Sequence, residues 1–80
     1  MKYVVARNFR EAADFAHVNE WPKSEWRYVD MADRLFGLKD AHVYLIGYWR
    51  EHMWSRDIGW MLETQQKLGR CAVEEVLDWR

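Results

Sequence analysis

Two short apolar runs stand out along the chain, one over Tyr3–Ala6 and one over Val43–Gly47. Both are nearly continuous, without the alternation of apolar and polar residues that marks a strand with one face in water. Parallel strands that are covered on both faces show this continuous pattern. Each run is followed directly by polar, loop-forming residues and then by a helical pattern. The sequence therefore predicts that both runs are buried parallel strands of an α/β fold.

Weaker strand signals lie between and after these runs. Trp26–Asp30 mixes large apolar and polar residues with a less regular alternation, which suits a strand at the edge of a sheet. Arg70–Val76 is predicted to be the fourth strand. The alternative for this last segment is a helix over Glu74–Trp79, and the sequence leaves both open.

Helical patterns separate the predicted strands. A capping-box motif begins at Asn8, and the apolar spacing that follows it predicts a helix to about Asn19. A short helix is expected over Met31–Leu38. A longer helix is expected to begin near Ser55 and to end at Gly69, a residue type that favours the left-handed conformation after a helix.

The alternation of strands and helices, without repeats or low-complexity segments, predicts a single α/β domain over residues 1–80. The expected architecture is a small doubly wound, Rossmann-like or flavodoxin-like parallel sheet. The most apolar strands belong in its middle and crossovers are right-handed, so the predicted strand order is 2-1-3-4. Ligands of such sheets bind beyond the carboxyl ends of the strands, where the direction of winding reverses. Here that point lies between the first and third strands.

Basic and aromatic residues follow the strands at this point and form a candidate ligand site. Arg7 and Arg50 would neutralise an anion, and a helix that starts at Asn8 would point N–H groups toward it. An adjacent aromatic ring would stack on a base. The alternative is that Asn8 only caps its helix and the arginines are solvated, since the sequence has neither GxGxxG nor GxxxxGK[ST]. The candidate site consists of Arg7, Asn8, Asp30, Tyr48, Trp49 and Arg50.

The segment Tyr48–Arg56 is dense in aromatic and charged residues, and the chain has six tryptophans in all. Trp60 lies opposite the apolar face of its predicted helix and should face solvent. Trp, Tyr, Met and Arg are enriched at protein interfaces. The sequence therefore predicts an interface centred on Trp49, Trp54 and Trp60. The alternative is that these tryptophans close the ends of a small core.

The charge balance argues against a nucleic-acid binder. Twelve Lys and Arg residues oppose thirteen Asp and Glu, which gives a net charge of −1 and no basic stripe. Duplex nucleic acid is not expected as a partner, whereas near-neutrality favours self-association. The expected partners are a second copy of the chain or another protein, with a nucleotide as the alternative ligand.

Few residues suggest redox or metal chemistry. The single cysteine, Cys71, is expected to be a small core residue in a reducing compartment. His17, His42 and His52 have no ligand-like spacing, so we expect no metal and no cofactor. The sequence also lacks a signal peptide pattern and a long apolar run, so we expect a cytoplasmic protein that does not enter a membrane.

The runs Met1–Asn8, Trp26–Val29 and Leu35–Gly47 together resemble the small α/β proteins that tailed phages of actinobacteria encode. This resemblance covers most of the chain and implies an accessory or host-takeover protein that acts by binding in the host cytoplasm. The sequence pattern of these runs also resembles the second half of a P-loop ATPase core. Gly47 and Tyr48 replace the acidic pair expected after the strand in that core, so ATP hydrolysis is not expected.

The sequence favours one function and leaves a second open. The favoured function is a non-catalytic, self-associating protein-interaction module, which predicts exposed tryptophans in one patch. The alternative is a small nucleotide- or nucleoside-binding protein or enzyme, which predicts that Arg7, Asn8, Tyr48 and Arg50 converge on one pocket. We expect a binding protein rather than an enzyme.

Overall fold

The computed structural model describes residues 1–79 as a four-stranded parallel sheet with helices packed on both of its faces. The strand order is 2-1-3-4, as the apolar patterning predicts. Every neighbouring pair of strands is parallel. The strands and helices are β1 (Lys2–Val5), α1 (Phe9–Val18), β2 (Trp26–Tyr28), β3 (Ala41–Ile46), α2 (Ser55–Lys67) and β4 (Cys71–Val76).

The core has two parts because successive residues of the central strands point to opposite faces. On β1, Val4 packs with α1 and Val5 packs with the α2 side. On β3, Ile46 lies on the α1 side and Val43 on the α2 side, and all four of these valine and isoleucine side chains are fully buried. Burial on both faces explains why these strands read as continuous apolar runs.

Helix α1 begins where the capping motif predicts. The Asn8 side-chain oxygen accepts a hydrogen bond from the Glu11 backbone N–H at 3.0 Å. The Glu11 carboxylate forms an ion pair with Arg7. The cap therefore fixes the start of α1 next to the end of β1 and places a carboxylate beside the first candidate arginine.

The helix expected over Met31–Leu38 is much shorter than predicted. Only Ala32–Leu35 is helical, as a turn of 3-10 helix, and the backbone is extended at Phe36. Gly37 then takes a positive φ of 73°. So short a segment gains too few hydrogen bonds to sustain an α-helix. Leu35 alone is fully buried there and anchors the turn beneath α2.

The last segment is a strand. β4 pairs with β3 over six consecutive residues, from Cys71 opposite Ala41 to Val76 opposite Ile46. The alternative helix over Glu74–Trp79 is therefore wrong. Cys71 is buried in the core on the α2 side, as expected for a small apolar residue. β4 lies at one edge of the sheet, and β2 lies at the other.

Candidate functional site

Arg7 and Tyr48 meet at the carboxyl ends of β1 and β3, as predicted for the candidate ligand site. The Arg7 guanidinium lies over the Tyr48 ring, 5.6 Å from its centroid. Arg7 is also paired with the Glu11 carboxylate. Its charge is therefore already compensated within the chain. Asn8 uses its side-chain oxygen to cap α1.

Arg50 is compensated in the same way from the other side. Its Nη1 lies 3.2 Å from Glu75 Oε1, and its guanidinium lies 4.7 Å from the centroid of the Trp49 ring. The indole N–H of Trp49 donates to the same Glu75 oxygen at 3.3 Å. A carboxylate from β4 thus contacts both Trp49 and Arg50 in the turn after β3.

Trp49 is only 7% exposed, so it is not part of an exposed interface in this structure. A turn of 3-10 helix over Trp49–Glu51 folds its side chain back into the core on the α2 side. Its indole N–H reaches Glu75 there. For Trp49 the alternative reading applies, in which a tryptophan closes the end of a small core.

The predicted ligand residues line separate cavities. Arg7 and Tyr48 line one of about 240 Å³, and Tyr48 and Arg50 line a neighbouring one of about 390 Å³. Asp30 lines a third cavity of about 610 Å³. Gly47 follows β3 with φ at 53°. A Cβ at this position would lie 3.3 Å from the Trp79 indole nitrogen, so there is little room for a side chain at this end of the sheet.

The largest of these cavities lies beside β2. Its polar groups include the Asp30–Arg34 ion pair, in which Arg34 Nε donates to Asp30 Oδ1 at 2.9 Å. This hydrogen bond lowers the pKa of Asp30. The cavity therefore presents aromatic rings beside a paired carboxylate and guanidinium. Its lining residues are Tyr3, Phe9, Arg27, Tyr28, Asp30, Asp33 and Arg34.

His52 is a buried histidine, although nothing in the local sequence pattern predicts its burial. It is 7% exposed, and its ring centroid lies 6.1 Å from that of Tyr28. Its Nδ1 accepts a hydrogen bond from the Trp54 backbone N–H at 3.0 Å. Burial lowers the pKa of His52, and the nearby charge of Asp30 opposes that shift. The imidazole is thus held neutral while it helps to position the start of α2.

We expect the free energy of unfolding to fall as the pH drops below about 6.5, the usual pKa of histidine in an unfolded chain. Because burial lowers the pKa of His52 in the folded chain, protons bind the unfolded chain more readily in this range. Urea unfolding at pH values of about 5 and 7 measures the effect. His52→Gln should flatten the dependence, and His17→Gln, at an exposed site on α1, should not. An unchanged pH dependence in His52→Gln would contradict this role.

Exposed tryptophan and methionine side chains surround the start of α2. Trp54 is 46% exposed, Trp60 is 65% exposed and Met53 is 83% exposed. Met31 is also exposed and lines a cavity of about 290 Å³ together with Trp54 and Asp57. Asp57 is one helical turn before Trp60, so Trp60 continues the same side of the molecule. We call Met31, Met53, Trp54 and Trp60 the aromatic surface.

Comparisons with known proteins give no guide to the site. No family model, curated protein or solved structure matches the chain. Within residues 1–79, no helix has the length and apolar character needed to cross a membrane. The same residues bring together no group of three or more His, Cys, Asp or Glu side chains that could hold a metal ion. The aromatic surface and the strand-end cavities are therefore the features from which function is inferred.

Proposed function

We propose that this chain is a non-catalytic protein-interaction module that self-associates through its aromatic surface. The exposure of two tryptophans and two methionines around the start of α2 carries the proposal. Tryptophan is enriched at the energetic centres of interfaces, and methionine adapts its shape to a partner. A buried tryptophan removes on the order of 150 to 250 Å² from water, so a second copy gains from covering this surface.

The contiguity of the surface supports the proposal more than the exposure of any one residue. Single exposed apolar residues are ordinary on protein surfaces, whereas a patch of them marks a contact site. Met31 and Trp54 come from different segments yet line one cavity with Asp57. A shallow depression beside protruding tryptophans is the shape that a complementary copy can fill.

The charges of the chain also favour contact between copies. With a net charge of −1, two copies repel one another only weakly at long range. On α2, Glu63 and Lys67 form an ion pair at 3.4 Å close to Trp60 in the helix.

The resemblance to phage proteins extends the proposal to an accessory or host-takeover role in the host cytoplasm.

The internal pairing of the two candidate arginines supports a non-catalytic role over nucleotide binding. A phosphate at the strand ends would have to displace Glu11 from Arg7 and Glu75 from Arg50. Carboxylates would repel the incoming anion as it did so. The geometry therefore favours the interaction module over the nucleotide site.

A photo-cross-linker can map the proposed contact. We expect a benzoylphenylalanine in place of Met53, which is 83% exposed, to give covalent dimers whose cross-links lie on the aromatic surface of the second copy. The same group in place of the exposed His17, on α1 across the sheet, is the matched control and should give far fewer dimers. Equal dimer yields from both positions, or cross-links from position 53 that map elsewhere, would argue against the aromatic surface.

A further inference from the structure

The outer side of β4 is an open sheet edge. β4 pairs with β3 through six consecutive residues, and no other strand within residues 1–79 pairs with it. Edge strands are usually blunted by proline, lysine, a bulge or very short length. β4 has no proline, lysine or bulge and is not short, because its register with β3 is continuous over six residues. Its sequence, Cys-Ala-Val-Glu-Glu-Val, carries charge only on Glu74 and Glu75. The other edge strand, β2, has only three residues.

Hydrogen bonds to β3 identify which backbone groups of β4 face outward. The Ala41 N–H donates to the Arg70 carbonyl at 3.3 Å, and the Gly47 N–H donates to the Val76 carbonyl at 3.1 Å. The even-numbered residues of this segment therefore face β3. Because successive residues of a strand alternate, Cys71, Val73 and Glu75 direct their N–H and C=O groups away from the sheet.

We propose that two copies of the chain join through their β4 strands, paired antiparallel about a two-fold axis at Val73. In this register Val73 faces Val73 of the second copy, and Cys71 faces Glu75 of the second copy. Each of these pairs brings together residues whose N–H and C=O groups point outward. The pairing thus satisfies the open backbone groups and continues the sheet across the axis.

The length of the ladder and the charges on β4 together select this register over its neighbours. A two-fold axis perpendicular to the sheet pairs residues on the same face, so the smallest shifts of the register move its centre to Ala72 or Glu74. Centring on Glu74 places this carboxylate opposite its own copy, which is repulsive. With Val73 at the centre, Glu74 instead lies opposite Ala72 and diagonal to both Arg70 and Glu74 of the second copy, so the two carboxylates are farther apart and each has an arginine within reach of a long side chain.

The remaining register is shorter. Centring on Ala72 would place Gly69 opposite Glu75, but Gly69 has a positive φ of 70° and is not extended. The ladder would lose that pair at each end. This register would instead place Arg70 opposite Glu74, but both side chains are exposed, and an exposed ion pair contributes little. Glu75 itself is already compensated by Arg50, so its charge does not oppose the pairing. The complementary partner of this edge is therefore a second copy of the same chain.

This contact is separate from the aromatic surface and goes beyond the proposed function. The aromatic surface lies where α2 begins, near the turn that follows β2, whereas β4 forms the opposite edge of the sheet. Each copy then has two self-complementary contacts, the aromatic surface and β4. We therefore expect assemblies larger than a dimer. Trp60→Ala should stop this assembly at the β4-paired dimer.

Disulfide mapping tests the register. Ala72 and Glu74 are both exposed, and the Val73-centred pairing places them opposite each other across the two-fold axis. The expected Cα separation of such a pair, about 4.5 Å, lies within the range of disulfides. A mixture of Ala72→Cys and Glu74→Cys chains should oxidise to a dimer that contains one of each, as resolved by intact mass. The unmodified chain, whose Cys71 is buried, should stay uncross-linked.

Each other outcome of the oxidation overturns the proposal. Dimers of Ala72→Cys with itself report the Ala72-centred register, and dimers of Glu74→Cys with itself report the Glu74-centred one. The absence of any dimer excludes the proposed Val73-centred pairing. The mixed dimer should form to the same extent when both chains also carry Trp60→Ala, so failure of the aromatic-surface contact is detected separately.

A charge exchange provides a second readout on the same contact. Glu74→Arg and Arg70→Glu should each raise the dissociation constant of the β4-paired dimer by at least about twofold. Each substitution places like charges on the diagonal that joins position 70 of one copy to position 74 of the other. The double variant should restore it. Both positions are exposed, so folding should be unaffected. Equal dissociation constants for all of these chains would overturn the proposed diagonal pairs.

Discussion

Replacing Trp60 with alanine should lower the average mass of the protein in solution at every concentration at which the unmodified chain associates. A tryptophan at the centre of an interface contributes about 2 kcal/mol or more, so the association constant of the aromatic-surface contact should fall by about thirtyfold or more. Trp60 is 65% exposed and faces away from the core, so this substitution should leave folding unchanged. Sedimentation velocity measures the change.

Phe36→Ala is the matched control for this experiment. Phe36 is another exposed aromatic residue, at 77%, but it lies outside the aromatic surface. Its removal should leave the association constant within about twofold of the unmodified value, as is usual for residues outside an interface centre. Equal losses from both substitutions would indicate non-specific hydrophobic association. No loss from Trp60→Ala would show that the aromatic surface is not the contact.

Ile58→Ala should have the largest effect on stability. Ile58 is fully buried where α2 packs on the sheet, and its truncation leaves a cavity in the core. Such a truncation costs about 2 to 5 kcal/mol, which is a large part of the roughly 4 to 12 kcal/mol available to a domain of 80 residues. The midpoint of urea unfolding should fall sharply, or the variant should fail to fold.

Leu68→Ala provides the comparison at the other extreme. Leu68 directly follows α2 and is 59% exposed, so its truncation removes little buried area. We expect the urea midpoint of Leu68→Ala to stay close to that of the unmodified chain. If both substitutions lowered the midpoint equally, the packing of α2 on the sheet through Ile58 would be contradicted.

The strand order and the edge positions could be predicted from local pattern because burial on both faces leaves a direct trace in sequence. Val4, Val5, Val43 and Ile46 form continuous apolar runs, and those runs are the central strands. The outward direction of Trp60 followed equally from its helical spacing. In both cases, the evidence lies within a few residues of the element it describes.

The environment of the candidate site could not be predicted because its contacts join distant parts of the chain. Glu75 lies 25 residues from Arg50, and nothing in the sequence links them before β4 is placed beside β3. The Trp49 indole N–H donates to the same Glu75 carboxylate. The Arg7–Glu11 pair is different, since its four-residue spacing is visible in the sequence and is a known signal for an ion pair.

His52 shows why residue type and local spacing are poor guides to burial in loops. It follows a 3-10 turn, and its burial comes from Tyr28 and the start of α2 rather than from any periodic pattern. The neighbouring Met53 and Trp54 are exposed although they are more hydrophobic. At the aromatic surface, therefore, a histidine is buried while the apolar residues next to it are exposed.

Light scattering of the unmodified chain across a wide concentration range measures self-association directly. We expect an average mass that rises with concentration above the 9.8 kDa of one chain, together with a shift of tryptophan emission to shorter wavelength as Trp54 and Trp60 leave water. A mass that stays at 9.8 kDa over the whole range would contradict self-association.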